Sequence, residues 1–180
     1  MKLEFEASLP YQNDARKSVI DLFEGQPKED AAINNNVYQG NQQSLIVGVS
    51  NNLILSEEQL LKNLKAIQER NEIEVSKKLD GMNFSIEMET GTGKTYVYLR
   101  TIYDLNEQYG FKKFVIVVPS VAIREGVLKN LEITHDHFQN IYEKEPIHFQ
   151  VYESKNVSSL KGFANGNTIE IMVMNIDAFA

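Results

Sequence analysis

The residues best suited to chemistry lie in METGTGKT, positions 88–95. Gly91 and Gly93 allow backbone torsions and a close approach that a Cβ would block. Successive N–H groups can then converge as an anion-binding nest, reinforced by the positive end of a following helix. Lys94 is spaced to reach the β- and γ-phosphates of a nucleotide and is the candidate catalytic residue. Thr95 offers a hydroxyl to Mg²⁺, a hard cation that prefers oxygen and bridges phosphates. Thr90, Gly91, Thr92, Gly93, Lys94 and Thr95 are therefore the candidate phosphate-binding residues, with Thr95 also the candidate metal ligand. The spacing departs from G-x-x-x-x-G-K-[ST] at one point, where Met88 replaces the first glycine. The plain alternative is a glycine turn that precedes Lys-Thr by chance. Context separates the two: a phosphate loop needs a strand before it and a helix after it.

The flanking sequence supplies that context. GMNFSIEM reads as a buried strand running into the loop. Beyond it, Tyr98, Ile102 and Leu105 form a helical stripe that stops near Gly110. KKFVIVVP is the clearest strand, an unbroken apolar run closed by Pro119. Ser120 can cap the next helix, with Ile123, Val127 and Leu131 on one face. IHFQVYES alternates as a strand does, and TIEIMVMNIDAFA begins with another. The order strand, helix, strand, helix, strand, strand argues for an α/β fold. Its sheet is mainly parallel with helices on both faces, and ligands sit at the carboxyl ends of the strands. Upstream, Tyr11, Ala15, Val19 and Leu22 share a helical face that begins near Pro10 and is broken by EGQPKED. INNNVYQGNQQS reads as a loop, and SLIVGVS as either a strand or a packed loop. Ser56, with Gln59 three residues later, opens a helix that puts Leu60, Leu64 and Ile67 on one face.

Composition bounds the class. At 180 residues the chain can bury a substantial core, and its 42% apolar and 24% charged residues fit a soluble globular protein. No apolar run is long enough for a membrane span, and the N-terminus has no secretory h-region. There is no cysteine, which removes disulfides and thiolate chemistry and fits a cytoplasmic location. The net charge of −7 is not that of a stand-alone nucleic-acid binder, although net charge averages over a surface that can still hold a basic groove.

METGTGKT, with Thr90 before the first glycine, resembles motif I of superfamily 2 helicases and translocases. SIEMETGTGKTYVYLRTIYDLN, KKFVIVVPSVAIREGV and IMVMNIDAFA are similar to the N-terminal motor region of the Res subunit of type III restriction enzymes. LPYQNDA, positions 9–15, resembles the glutamine element found upstream of motif I. The resemblance covers nearly the whole chain and is weakest over residues 27–55. It implies a P-loop NTPase (RecA-like) fold, an incomplete first motor lobe that uses ATP and Mg²⁺. Within a single domain over 1–180, residues 1–26 would hold the glutamine element, 27–80 a loop and helix insertion, and 81–180 the P-loop core. Gln12 would read the adenine edge, since an amide both donates and accepts. Ser120 and Arg124 in motif Ia, and Asn175 in motif Ib, would contact the backbone of double-stranded DNA. The implied partner is a modification methyltransferase subunit, and the whole protein would couple ATP hydrolysis to DNA cleavage.

Hydrolysis needs an acidic residue for the metal and an oriented water. The family supplies them through a D-E-x-H element, which does not occur here; Asp177, in NIDAFA, does not match it. A second lobe and a nuclease region are also missing, so the chain is expected to be an incomplete protein with negligible ATPase activity alone. His135 and His137, around Asp136, read as a polar surface turn rather than a metal site. Tyr96, Tyr98 and Tyr103 read as packing rather than base-stacking residues. Two other classes compete. One is a small-molecule phosphotransferase or a GTPase, though the guanine-reading N-K-x-D is absent. The other is a non-hydrolysing fragment that only binds nucleotide or phosphate.

Overall fold

A computed structural model describes residues 5–28, 50–153 and 157–179. The chain forms two compact units, one of Met1–Pro27 and Leu53–Leu105, the other of Lys28–Asn52 and Asn106–Ala180.

The first unit is helical. Helix α1 spans Pro10–Asp21, with proline in its first turn where a missing N–H costs nothing. Helix α2 spans Glu57–Arg70, and the Ser56 hydroxyl accepts the Gln59 N–H at 3.2 Å as its cap. Glu57 and Glu58 at its start and Arg70 at its end suit the helix dipole. Leu60, Ile67 and Leu22 form a buried cluster, with Phe23, Leu55, Leu64 and Leu79 packed around it. Asn63, also buried, donates to the carbonyls of Leu22 (3.0 Å) and Glu24 (2.9 Å), tying the chain after α1 to α2. Helix α3, Lys94–Tyr109, begins at the glycine loop. It buries Tyr96, Ile102, Tyr103 and Leu105 and half-buries Tyr98, so these tyrosines pack, as their spacing implied. Gly110, at φ 74°, ends the helix as expected, and its N–H donates to Asn106 O at 2.8 Å.

The second unit is a parallel sheet in the order β1-β3-β2, flanked by helices, and this is the α/β class expected. The chain runs β1 (Lys113–Val118), α4 (Val121–Ile141), β2 (Ile147–Val151), α5 (Val157–Asn165), β3 (Ile169–Asn175) and a 3-10 turn over Ile176–Phe179. Because the strand order doubles back, right-handed crossovers send α4 and α5 to opposite faces. The central strand β3 is buried along nearly its whole length, as its run IEIMVMN predicts. Its one acid, Glu170, is buried with its carboxylate held by the Thr168 hydroxyl at 2.8 Å and by His148 at 3.1 Å. Val127, Leu131 and Phe138 are the buried stripe of α4.

Three expectations change. GMNFSIEM begins in a turn at Gly81–Met82 and forms no strand, and Met82, Phe84 and Ile86 are 50%, 37% and 49% exposed. A strand exists only by bonding to a neighbour, and among the described residues all three strands belong to the other unit. Second, α5 separates the last two strands, which sequence reading had joined directly. Third, His135 and His137 lie inside α4, not in a turn. Residues two apart on a helix point to different sides, so they make no paired ligand set. INNNVYQGNQQS and most of SLIVGVS lie outside the described residues.

Candidate nucleotide-binding site

The loop from Met88 to Lys94 is built around two left-handed glycines, Gly91 at φ 82° and Gly93 at φ 83°. Other residues pay about 1–2 kcal/mol to adopt that region. The two glycines are needed for different reasons. A Cβ on Gly91 would meet open space, so only its torsion matters. A Cβ on Gly93 would lie 2.6 Å from Gln12 Nε2, so a side chain there would cost the torsion and would also push the Gln12 amide aside.

Polar side chains close the loop on itself. The Thr92 hydroxyl donates to Glu89 O at 2.6 Å. Lys94 Nζ donates to Glu89 O at 2.7 Å and also to Met88 O. The ammonium therefore sits inside the curve of the loop, held by carbonyls that an anionic ligand can replace. The first backbone bond of α3 runs from Val97 N–H to Gly93 O at 3.0 Å. The amides of Lys94 and Thr95 precede it and are the orphan donors every helix start leaves.

Gln12, half-buried on α1, donates from Nε2 to Thr92 O at 2.8 Å. The upstream glutamine and the glycine loop, 80 residues apart in sequence, thus meet directly. The Thr95 hydroxyl lies near the Tyr98 phenol, one helical turn on. Burial pushes that phenol's pKa up, and the Thr95 hydroxyl partly opposes the rise. Thr90 is exposed at the loop's turn.

For Mg²⁺ the donor set is sparse. Among the described residues no cluster of three or more His, Cys, Asp or Glu could hold a metal. Thr95 is the one loop hydroxyl at the helix start. Such a site fits a Mg²⁺ ion that takes most of its ligands from phosphates and water. Asp177 is exposed in the 3-10 turn after β3.

The expected DNA contacts all lie in the sheet-bearing unit. Register pairs Val118 with Asn175, so Asn175 stands level with the carboxyl end of β1, two residues before Ser120. Ser120 caps α4, its hydroxyl accepting the Ile123 N–H at 3.3 Å. Arg124 pairs with Glu125 Oε1 at 2.9 Å, which offsets its charge. Asn175 Oδ1 is buried and has no hydrogen-bond partner among the described residues. These three positions share the strand-end edge, but none presents an uncommitted charge. Sequence reading missed one part of the first unit, the Arg16–Asp104 ion pair. Its partners are 88 residues apart, and nothing in the local sequence around either one signals the other.

Among the described residues no helix is long and apolar enough to cross a membrane. The family model for the type III restriction enzyme res subunit matches residues 7–180. The EcoPI Res subunit of Escherichia phage P1 is 36% identical over 157 residues, 84% of this chain and 15% of that protein. The EcoP15I Res subunit of Escherichia coli is 40% identical over 111 residues, covering 58% of this chain and 11% of the relative. The StyLTI Res subunit of Salmonella typhimurium is 48% identical over 66 residues, 36% and 7% of the two chains. The chain therefore spans 15% or less of the length of these curated relatives. A glycine loop carrying Lys94, a glutamine set against it, a parallel sheet and a match over nearly every residue agree: this chain belongs to the type III restriction enzyme res subunit family.

Proposed function

We propose that this chain is the nucleotide-gripping part of an ATP-dependent DNA translocase, within a type III restriction subunit that cleaves double-stranded DNA. Residues 1–180 would belong to one RecA-like motor domain acting in the cytoplasm. The observation that carries the reading is the 88–95 loop, where two left-handed glycines and an inward Lys94 stand at the start of α3. Lys94 would exchange its carbonyl partners for the β- and γ-phosphates of ATP, a trade that strengthens each bond because both partners are then charged. The amides of the loop and the first turn of α3 would hold the remaining oxygens. Thr95 would hold Mg²⁺, which supplies charge neutralisation across the phosphates when bound. Gln12 would meet the adenine edge. Ser120, Arg124 and Asn175 would touch the DNA backbone, and a modification methyltransferase subunit would supply sequence recognition.

The family's D-E-x-H element, which would hold the metal and orient water, does not occur in these 180 residues. The 180 residues alone are therefore expected to bind nucleotide and to hydrolyse it negligibly. The test is DNA-stimulated phosphate release by a full-length subunit carrying this sequence, with its methyltransferase. Lys94→Ala should abolish both ATP turnover and DNA cleavage. Unchanged cleavage by that variant would reject the loop as the motor's site.

A further inference from the structure

We propose that the Arg16–Asp104 ion pair is a positioning device for base selectivity: it fixes the face of α1 that carries Gln12 against the glycine loop. This deepens the nucleotide reading above and rests on it. Gln12 and Arg16 are one turn apart on α1 and share a face. Gln12 reaches the loop at Thr92 O, 2.8 Å away. Arg16 Nη1 reaches α3 at Asp104 Oδ2, 2.6 Å away, with side chains only 23% and 9% exposed. One face of α1 is thus pinned at two points, to the loop and to the middle of the helix that the loop begins.

The first pin leaves Gln12 usable. An amide nitrogen has two hydrogens, and the bond to Thr92 O takes one. The second N–H and the carbonyl Oε1 still form a donor–acceptor pair. That pair matches an edge offering an acceptor beside an amino donor, as adenine's does, whereas guanine's corresponding edge offers two acceptors. Such discrimination needs the amide held at a fixed depth. The bond to Thr92 O sets that depth, and the absence of a Cβ on Gly93, which would lie 2.6 Å from Nε2, leaves the amide room to sit there.

The second pin holds the backbone from which Gln12 projects. The entry to α1 is also fixed to α3, by Phe5 stacked on Tyr96 with ring centroids 5.9 Å apart and by Arg100 donating to Ala7 O. The far end of α1 is held differently, by the more exposed Asp21 with Lys17 and Arg70. Arg16–Asp104 is a charged tie between α1 and α3 on the Gln12 face, and it is shielded enough to resist salt screening.

The test is calorimetry of the 180-residue chain with ATP, GTP and inorganic triphosphate. Arg16→Gln and Gln12→Ala should each lower the ATP-over-GTP preference about fivefold to tenfold, while triphosphate affinity stays within about twofold. Combining the two substitutions should cause no further loss. Arg16→Lys, which keeps the charge, should retain most of the preference, and Asp21→Asn should leave it intact. Breaking one side of a shielded pair can unfold a protein. Arg16→Gln with Asp104→Asn is therefore measured as well, because that neutral pair leaves no stranded charge, and it should show the same loss. If the neutral pair keeps the wild-type preference while Gln12→Ala loses it, the positioning role is overturned and the nucleotide site stands. A parallel loss of ATP, GTP and triphosphate affinity would also overturn it, marking the pair as purely structural. If Lys94→Ala leaves triphosphate affinity unchanged, the nucleotide reading itself fails.

Discussion

At the start of α3 the chain leaves hydrogen-bond donors for something else; at the start of α4 it uses them itself. Gly93 precedes α3 and has no side chain with which to cap it; the first backbone bond, Val97 N–H to Gly93 O, falls at the same helix position as Arg124 N–H to Ser120 O in α4, so the difference lies in the side-chain cap alone. Ser120 precedes α4 in an extended conformation, and its hydroxyl takes the Ile123 N–H. The nearest cation differs too. Lys94 rests on main-chain carbonyls, which an anion can displace, whereas Arg124 rests on the Glu125 carboxylate, which already neutralises it. Helix starts are therefore not equivalent anion sites. What counts is whether the sequence has already satisfied the donors.

The comparison can be broken most severely at Gly93. Gly93→Ala is expected to cost about 1–2 kcal/mol in torsion alone. It also forces Gln12 to shift, so the ATP-over-GTP preference should fall about fivefold to tenfold in addition to any loss of phosphate binding from the altered torsion. Gly91→Ala should show the torsional cost without displacing Gln12, since nothing lies within 4 Å of a Cβ there. Equal changes of ATP-over-GTP preference in the two variants, by calorimetry, would mean that the Gln12 contact is irrelevant.

At α4 the expected effects change kind. Ser120→Ala should destabilise the chain by about 1 kcal/mol in denaturant melts, the ordinary value of a cap, with triphosphate binding unchanged. Arg124→Ala in the full-length protein should reduce the salt slope of DNA binding by less than the one unit that a fully engaged phosphate contact gives, because Glu125 competes for the charge. A full unit would show that Arg124 leaves Glu125 on binding DNA.

The smallest effect lies at the far end of α1. Burial raises the Asp21 pKa, but hydrogen bonds and charges from Lys17 and Arg70 outweigh it and hold the carboxyl below its usual 3.8. A lowered folded-state pKa adds stability above the unfolded value and loses it as pH falls through the folded one. Asp21→Asn should therefore cost about 0.2–1 kcal/mol near neutral pH and almost nothing in strong acid. A cost that grows on acidification would contradict this sign.

The comparison also shows what the sequence could reveal. The glycine loop was legible because its chemistry is local: two glycines, a lysine and a threonine within five residues determine both shape and charge. Strand β3 was legible because a strand buried on both faces must be apolar throughout, and β1 by its unbroken β-branched run, although Val115 and Val117 are left exposed. GMNFSIEM misled because its apolar pattern describes what a strand would bury, whereas a strand also needs a neighbour to bond. Helix α5 went unread because its nine residues, VSSLKGFAN, are short and hold two serines and a glycine, weak material for a helical pattern. The pairing of Arg124 with Glu125 was not legible because, though the two are adjacent in sequence, it depends on side-chain conformation.

The central claim is that the 88–95 loop grips a chain of phosphates through Lys94 and main-chain amides. Its most direct test is calorimetric titration of the 180-residue chain with inorganic triphosphate, wild type against Lys94→Ala. Saturable binding by the wild type, weakened about tenfold to a hundredfold in the variant, is the predicted result, as expected for loss of a charge-assisted contact. Equal affinity in the two proteins, or no binding by a folded wild type, would contradict it.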